Sequence, residues 1–143
     1  MKGTSRAIAL VSGGSRGIGF AIANKLAEHG WCVGVTSRDA ARAQTAASLL
    51  PVIDDQQNHF GFECNVTQSE HIENMFNQLV FELGAPNALI NAAGIAKDSL
   101  LIRQSLPELH QMISTNLIGS ILMCKNASKY MIKKKTGIHI TKV

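Results

Sequence analysis

A glycine-rich segment near the start of the chain has the spacing of a phosphate-binding turn. Residues 12–19 read SGGSRGIG, in which Gly13, Gly17 and Gly19 follow the pattern G-x-x-x-G-x-G. An apolar run precedes the segment and a helical pattern follows it, so backbone N–H groups and the helix N-terminus can hold a pyrophosphate there. The alternative is a tight turn between a strand and a helix without a ligand. The context favours the phosphate site.

Charged residues beside this turn bear on the choice of cofactor. An acid at the end of the second strand would bind the ribose 2′-hydroxyl of NAD, whereas a guanidinium binds a 2′-phosphate through two hydrogen bonds. Arg38 occupies that position, and Arg16 within the turn adds a second cation. Asp39 is the opposing observation, but its place at the start of a helix is typical of a cap. The sequence therefore predicts NADPH as the cofactor.

Apolar runs alternate with helical patterns along the chain, which is typical of an α/β fold with a parallel sheet. Strands are predicted at 7–12, 31–37, 59–66, 88–94 and 138–140. Helices are predicted at 17–29 and 39–50, from a cap at Thr67 or Ser69 to Gly84, and from Pro107 onward. One side of the last helix is lined by Leu109, Met112, Ile113, Leu117, Ile121 and Cys124. We expect a doubly wound, Rossmann-like sheet of about five strands.

Composition indicates one globular domain, residues 1–143, with 45% apolar and 17% charged residues and a net charge of +4. The cysteines, Cys32, Cys64 and Cys124, are expected to be buried thiols in a reducing compartment. Neither they nor the histidines have metal-ligand spacing, so we expect no metal. No apolar run suggests a membrane span, no cleavable leader is visible, and no motif suggests nucleic acid.

The motifs together resemble the short-chain dehydrogenase/reductase family. Ser12 stands where the family's turn has threonine, NAAG at 91–94 matches the motif after the fourth strand, and CNV at 64–66 matches the segment beside the adenine. Asn116 matches the family's asparagine in the long helix. The resemblance implies a nicotinamide-nucleotide site formed by Ser12, Gly13, Ser15, Arg16, Gly17, Ile18, Gly19, Ser37, Arg38, Asn65, Val66, Asn91, Ala92, Ala93 and Gly94.

One segment points to a subgroup of the family. GIAKDSLLIR at 94–103 is similar to a stretch of the β-ketoacyl-acyl-carrier-protein reductases, a group that includes a mitochondrial carbonyl reductase. The resemblance implies NADPH-dependent reduction of a 3-oxoacyl-acyl-carrier-protein, or of small carbonyl or quinone substrates, in fatty acid synthesis. It also implies a homo- or hetero-tetramer with sister subunits, in the mitochondrial matrix or alternatively the cytoplasm.

Three consecutive lysines end the long helix. By the same resemblance, Lys133, Lys134 and Lys135 align with a basic patch that docks the acidic acyl carrier protein. The alternative is that these cations only suit the negative end of the helix dipole.

A tyrosine and a lysine near the end of the chain imitate the family's catalytic pair. In the family, a tyrosine donates a proton to the carbonyl and a lysine four residues later lowers the pKa of the phenol. Tyr130 and Lys134 have this Y-x-x-x-K spacing, but they precede the fifth strand, whereas the family's pair follows it. We interpret them as a coincidental match. Asn116 is then the only member present of the family's Asn-Ser-Tyr-Lys set.

The segment GIHITKV at 137–143 departs from the family's continuation, G-x-I-V-x-I-S-S. We therefore expect a truncated or alternative C-terminus that lacks the family's C-terminal helix and strands. Two hypotheses follow: the chain is the cofactor-binding part of a reductase, or it is a non-catalytic module that binds nucleotide or sister subunits.

Overall fold

The computed structural model describes residues 6–142 and shows a five-stranded parallel sheet with helices on both faces. The strands are β1 (Ile8–Ser12), β2 (Cys32–Ser37), β3 (His59–Glu63), β4 (Ala88–Asn91) and β5 (Ile138–Thr141). The helices are α1 (Gly17–Glu28), α2 (Ala40–Ser48), α3 (Ser69–Glu82), α4 (Leu106–Ile113) and α5 (Gly119–Lys134), with a 3₁₀ turn at Leu101–Arg103 and a π-helical segment at Ser114–Ile118. The predicted Rossmann-like α/β fold is confirmed. The expectation about a leader concerns residues 1–5, which lie outside the described residues.

The strand order indicates a crevice at the carboxyl ends of the central strands. The order is β3-β2-β1-β4-β5, and every pairing is parallel. The chain moves outward from β1 through β2 to β3 and then returns to the other side of β1 with β4. A reversal of this kind separates the turns that follow the strands and opens a crevice outside their carboxyl ends. The turns after β1, β2 and β4 therefore face a common space.

The side chains that pack on one face of the sheet are larger than those on the other face. Leu10 belongs to the core under α3 and α5, whereas Val11, its neighbour in β1, belongs to the core under α1 and α2. The first core holds large side chains, and the second is rich in alanine from the helices. A Cβ on Gly61 of β3 would lie 2.2 Å from the backbone of Ala43 in α2. Small residues thus let the helices of the second face approach the sheet closely.

The apolar side of the last helix is partly exposed. Ile113, Leu117 and Ile121 are 51%, 55% and 54% exposed, and α5 instead buries Met123 and Ala127. The π-helical segment Ser114–Ile118 precedes these two buried residues, and its i→i+5 hydrogen bonds take in an extra residue and shift the phase of the helix. A uniform period of 3.6 residues does not hold across this segment.

Two smaller expectations also need correction. Cys32 and Cys64 are buried free thiols, as expected, but Cys124 is only half-buried. The cap of α3 is Gln68, whose side chain makes no capping hydrogen bond, rather than Thr67 or Ser69.

A half-buried histidine connects two strands to the loop before β3. The Nδ1 atom of His59 accepts the backbone N–H of Val33 at 3.1 Å, so Nε2 carries the proton and donates it to the carbonyl of Pro51 at 3.0 Å. The bond from Val33 requires the neutral ring, since a protonated Nδ1 cannot accept it, whereas the bond to Pro51 can persist in the charged ring. Burial lowers the pKa of His59, and the bond to Pro51 offsets part of that effect.

This contact predicts a pH-dependent stability. Because the pKa of His59 is lowered in the folded state, the unfolded chain binds a proton more readily, and stability falls as the pH drops below about 6.5. Replacing His59→Gln should reduce the difference between the melting temperatures at about pH 7.5 and about pH 5.5. The matched control is His139→Gln on the exposed strand β5, which should leave that difference unchanged. Equal pH dependence of the His59→Gln variant and the unmutated chain would contradict the assignment.

Candidate functional site

A groove of about 500 Å³ lies at the carboxyl edge of the sheet, where the turns after β1, β2, β3 and β4 converge. The π-helical segment and the end of β5 close its other side. The lining residues are Gly13, Ser15, Arg16, Gly17, Ile18, Gly19, Thr36, Ser37, Arg38, Arg42, Cys64, Asn65, Val66, Thr67, Ala92, Ala93, Gly94, Ile95, Gln111, Thr115 and Lys142. All but two of the predicted cofactor-binding residues therefore line one groove.

The three glycines of the first turn have two different roles. A Cβ on Gly13, which has φ +65°, would lie 2.7 Å from the backbone of Ala93 after β4. A Cβ on Gly19 would lie 2.3 Å from the carbonyl oxygen of Gly13. At Gly17, with φ +55°, nothing lies within 4 Å of the added Cβ, which would point into open space. Two glycines thus let backbone segments meet, and Gly17 leaves room for a ligand.

The N-terminus of α1 opens into this groove with its N–H groups available. The helix begins at Gly17, and Arg16 is the N-cap, but no side chain makes a capping hydrogen bond and no acidic residue lies in the first turn. Uncapped N–H groups and the positive end of the helix dipole together favour an anion. The local structure therefore suits the pyrophosphate predicted from the glycine spacing.

Ser12 and Asn91 lie beneath the groove rather than on its surface. The Oγ atom of Ser12 accepts the backbone N–H of Ala93 at 3.3 Å, and this serine is only 1% exposed. The Asn91 amide donates to Cys124 Sγ and Thr141 Oγ1, both at 3.3 Å, and its buried Oδ1 has no hydrogen-bond partner among residues 6–142. Both side chains support the turns that form the groove.

The turn after β1 is also joined to β2. The N–H of Gly13 donates to Thr36 Oγ1 at 3.4 Å, and the N–H of Gly14 donates to the Thr36 carbonyl at 3.2 Å. Since Thr36 is 1% exposed, these bonds are shielded from water. The glycine turn is therefore fixed from both sides, by Ala93 and by Thr36.

Asn116 holds the mouth of the groove through paired hydrogen bonds. Its Oδ1 accepts the N–H of Ile95 at 2.8 Å, and its Nδ2 donates to the Ile95 carbonyl at 2.8 Å. Asn116 lies in the π-helical segment, and Ile95 follows the NAAG turn. Because both polar groups of the amide are engaged, Asn116 acts on the site by positioning the Ile95 backbone.

The charge of the groove is uniformly positive. Arg16, Arg38, Arg42 and Lys142 line it, and no aspartate or glutamate does. The predicted cap at Asp39 is confirmed, since its carboxylate accepts the backbone N–H of Arg42 at 2.9 Å. Burial raises the pKa of the Cys64 thiol to about 12, so that thiol stays neutral. The groove is suited to an anion with charge at more than one point.

Tyr130 and Lys134 lie outside this groove. The Tyr130 ring stacks on Phe76 of α3, with 5.8 Å between the ring centroids. Lys134 Nζ donates to the carbonyl oxygen of Ala85 at 2.8 Å, ahead of the amino end of β4. The tyrosine thus contributes to the core and the lysine to a loop on the edge opposite the groove. This placement agrees with the interpretation of a coincidental match.

The three consecutive lysines have different environments. Lys133 and Lys134 lie in the last turn of α5, and Lys135 is its C-cap, with a left-handed φ of +54°. All three are exposed, but Lys134 is engaged with Ala85. Lys133 and Lys135 are therefore the better candidates for contact with a partner.

Sequence reasoning did not single out several groove residues: Thr36, Arg42, Thr67, Ile95, Gln111, Thr115 and Lys142. Arg42 had a readable signal, because it lies one helical turn after Arg38 in a helix that starts at the groove. Lys142 had none, since its position depends on the pairing of β5 with β4, in which its N–H donates to the Asn91 carbonyl.

Neither a metal centre nor a membrane segment is found in the part of the chain that the structure describes. Residues 6–142 contain no group of three or more histidine, cysteine, aspartate or glutamate side chains that could hold a metal ion. Over the same residues, no helix combines the length and the apolar character needed to cross a membrane.

Comparison with known proteins agrees with this site. The family model for short chain dehydrogenases matches residues 7–141, so the chain belongs to the short-chain dehydrogenase family. A 3-oxoacyl-[acyl-carrier-protein] reductase from Mus musculus is 39% identical over 131 residues, covering 92% of this chain and 53% of the relative. Carbonyl reductase family member 4 from Danio rerio is 38% identical, covering 87% and 51%. The chain spans about half the length of the curated relatives that it matches.

A bacterial relative shows the same pattern of coverage. The 3-oxoacyl-[acyl-carrier-protein] reductase FabG of Aquifex aeolicus is 35% identical over 130 residues, covering 91% of this chain and 52% of the relative. Short-chain dehydrogenases bind nicotinamide nucleotides. The residues present fit such a group, because Gly17 leaves open space beside the uncapped start of α1.

The open space at Gly17 gives a direct test of the groove. The Gly17→Ala variant should lose roughly 1–2 kcal/mol of folding free energy from the left-handed backbone, and its affinity for a nicotinamide dinucleotide should fall about tenfold or more, because the methyl group enters the phosphate path. Thermal unfolding and fluorescence titration measure the two effects.

The matched control is Gly30→Ala, which has a φ of +84° and lies beyond the end of α1, away from the groove. It should show a similar loss of stability with unchanged affinity. Equal affinities of the two variants would show that no ligand approaches Gly17.

Proposed function

We propose that this chain is the cofactor-binding part of an NADPH-dependent carbonyl reductase. Its substrate class is a 3-oxoacyl group on acyl carrier protein or a small carbonyl or quinone compound. The observation that carries the proposal is the groove itself: an uncapped helix N-terminus and four cations, with no acidic residue in the lining. The names of the relatives, which are 3-oxoacyl-[acyl-carrier-protein] and carbonyl reductases, support the substrate class.

The proposed preference for NADPH rests on the end of β2. Arg38 lines the groove directly after Ser37, the last residue of that strand. The acid that would have indicated NAD, Asp39, is used as the cap of α2. A guanidinium forms paired, charge-assisted bonds with a phosphate, whereas a ribose hydroxyl offers it only a neutral partner. The 2′-phosphate is therefore the group that this end of the groove distinguishes.

The bound cofactor would supply hydride, and the residues of this chain would hold and orient it. The start of α1 would hold the pyrophosphate through backbone N–H groups. Asn65 and Val66, which follow β3 and line the groove, would hold the adenine. The NAAG turn, fixed by Ser12 and Asn116, would help to hold the cofactor from its place in the groove lining.

Exchange of Arg38 tests the preference. The unmutated chain should bind NADPH more tightly than NADH, and Arg38→Asp should abolish or invert the difference, because a charge-assisted pair contributes about 1.5–3 kcal/mol. Titration of both cofactors by fluorescence or calorimetry measures this. Equal affinity of the unmutated chain for the two cofactors would refute the preference.

The second candidate function is a nucleotide-binding or subunit-binding module without catalysis. It is favoured by the position of Tyr130, whose ring packs on Phe76 while the groove lining contains no tyrosine. A general acid typically accelerates proton transfer by about 10²–10⁴-fold. Without a tyrosine hydroxyl at the groove, residues 1–143 alone would bind the cofactor but could not protonate a carbonyl substrate efficiently.

A turnover assay of the isolated chain tests whether it binds the cofactor without catalysis. With NADPH and an acetoacetyl thioester, the purified chain should cause no loss of cofactor absorbance above background. Tyr130→Phe is the control, since the ring can still stack on Phe76 without its hydroxyl. Robust turnover that Tyr130→Phe abolishes would make the Y-x-x-x-K pair catalytic after all. Turnover that persists in the variant would indicate a contaminating reductase.

We propose further that the lysines at the end of α5 meet an acidic carrier protein. Lys133 and Lys135 offer exposed ammonium groups without a contact inside the chain's described part, while Lys134 is engaged with Ala85. Charges at the rim of an interface act mainly on encounter and orientation, and they depend on salt.

Charge reversal should weaken carrier binding without damage to the fold. The double variant Lys133→Glu with Lys135→Glu should bind acyl carrier protein roughly threefold to tenfold more weakly at low salt, with little difference at high salt. Lys125→Glu, an exposed change elsewhere on α5, is the matched control. Loss of binding in the control to the same degree would remove the lysine cluster from the account.

A further inference from the structure

We propose that Arg42 is a third cation of the cofactor's 2′-phosphate site, acting together with Arg16 and Arg38. The inference rests on the proposed function and deepens it, because it assigns a specificity-determining residue that lies outside the glycine turn and the strand end. The ligand class is a nucleotide with a phosphate on the adenosine ribose.

Arg42 lies where two cavities meet. It lines the main groove and also an adjoining cavity of about 280 Å³. Ser15 and Arg16 are shared by both cavities in the same way. The smaller cavity therefore offers space beside Arg16 and Arg42 for a 2′-phosphate, while the main groove offers space for the rest of the dinucleotide.

The position of Arg42 is unfavourable for the helix that carries it. Asp39 is the N-cap of α2, so Arg42 stands in the first turn, near the positive end of the helix dipole. A cation there costs free energy, whereas an anion is stabilised. The acid at this end of α2 is the cap Asp39, whose carboxylate accepts the backbone N–H of Arg42, and no further acidic residue lies in the first turn to pair with the guanidinium. A bound phosphate would offset the charge.

Arg16, Arg38 and Arg42 form no ion pair with an acidic residue within residues 6–142. The ion pairs of the described residues involve Arg6 with Asp54, Lys25 with Glu28, and Lys97 with Glu108. Arg16, Arg38 and Arg42 take no part in them, and all three are exposed. In the free protein, water screens their mutual repulsion. A doubly charged phosphate that displaces this water would accept hydrogen bonds from all three.

Asp39, the acid next to Arg38 in the sequence, helps to position Arg42. Asp39 accepts the backbone N–H of Arg42 at 2.9 Å and thereby fixes where the Arg42 side chain begins. The apolar floor of the smaller cavity, formed by Phe20, Ala46 and Leu49, can support the aliphatic part of the side chain while the guanidinium stays at the rim. The cap and the floor together direct the charged end toward the groove.

The test compares ligands that differ only in the ribose phosphate. NADPH, NADH, 2′,5′-ADP and 5′-AMP are titrated by calorimetry into the unmutated chain and into Arg42→Ala, Arg42→Lys and Arg103→Ala. Arg42→Ala should weaken NADPH and 2′,5′-ADP by about tenfold and should change NADH and 5′-AMP by less than about twofold. Arg42→Lys should recover part of the loss, since it keeps the charge without the fork. Arg103→Ala, an exposed arginine outside the groove lining, should have no effect.

The outcomes distinguish this inference from the function on which it rests. If the unmutated chain prefers NADPH and Arg42→Ala retains that preference, the role of Arg42 is overturned while the proposed cofactor stands. If the unmutated chain shows no preference for ligands with the 2′-phosphate, the proposed cofactor fails, and this inference with it. A loss shared equally by all four ligands, with a lowered melting temperature, would show that Arg42 only supports the fold and would also overturn the inference.

Discussion

The site depends on the close approach of the turn after β1 to the turn after β4. At Gly13 the two backbones come so near that a methyl group would lie 2.7 Å from Ala93, and the buried hydroxyl of Ser12 accepts the Ala93 N–H. Without that contact, the crevice between β1 and β4 would have no fixed width. A dinucleotide spans this crevice, so its two walls must be set before it binds. Glycine at position 13 is therefore a requirement of packing as well as of backbone conformation.

A second contact joins the NAAG turn to the far side of the groove. The NAAG turn continues to Ile95, whose backbone N–H and carbonyl both bond to the Asn116 amide. Asn116 can reach Ile95 because it lies in the π-helical segment, where the helix departs from its ordinary phase. Around this segment, Ile113, Leu117 and Ile121 face solvent.

Local patterns were sufficient for the strands, the glycine turn and most of the groove. They specify period, turn chemistry and caps, and the cap at Asp39 is an example that the structure confirms. The residues that α5 buries, such as Met123 and Ala127, could not be predicted from a uniform period, because the π-helical segment before them shifts the phase of the helix. Contacts between distant residues, such as Asn116 with Ile95 or Lys142 with the groove, leave no periodic signal. Tyr130 and Lys134 show that a familiar spacing can mislead. The pair has the Y-x-x-x-K spacing, but it precedes β5, and this order argues against a catalytic role.

If the convergent turns form the nucleotide site, NADPH should bind there and not near Tyr130 and Lys134. Chemical-shift mapping of the ¹⁵N-labelled chain with NADPH tests this, because every backbone amide reports its own environment. We expect the largest changes in amide chemical shift at Ser15, Gly17, Val66 and Gly94, with little change at Tyr130 and Lys134. Shifts concentrated at the end of α5, or no shifts at saturating cofactor, would contradict it.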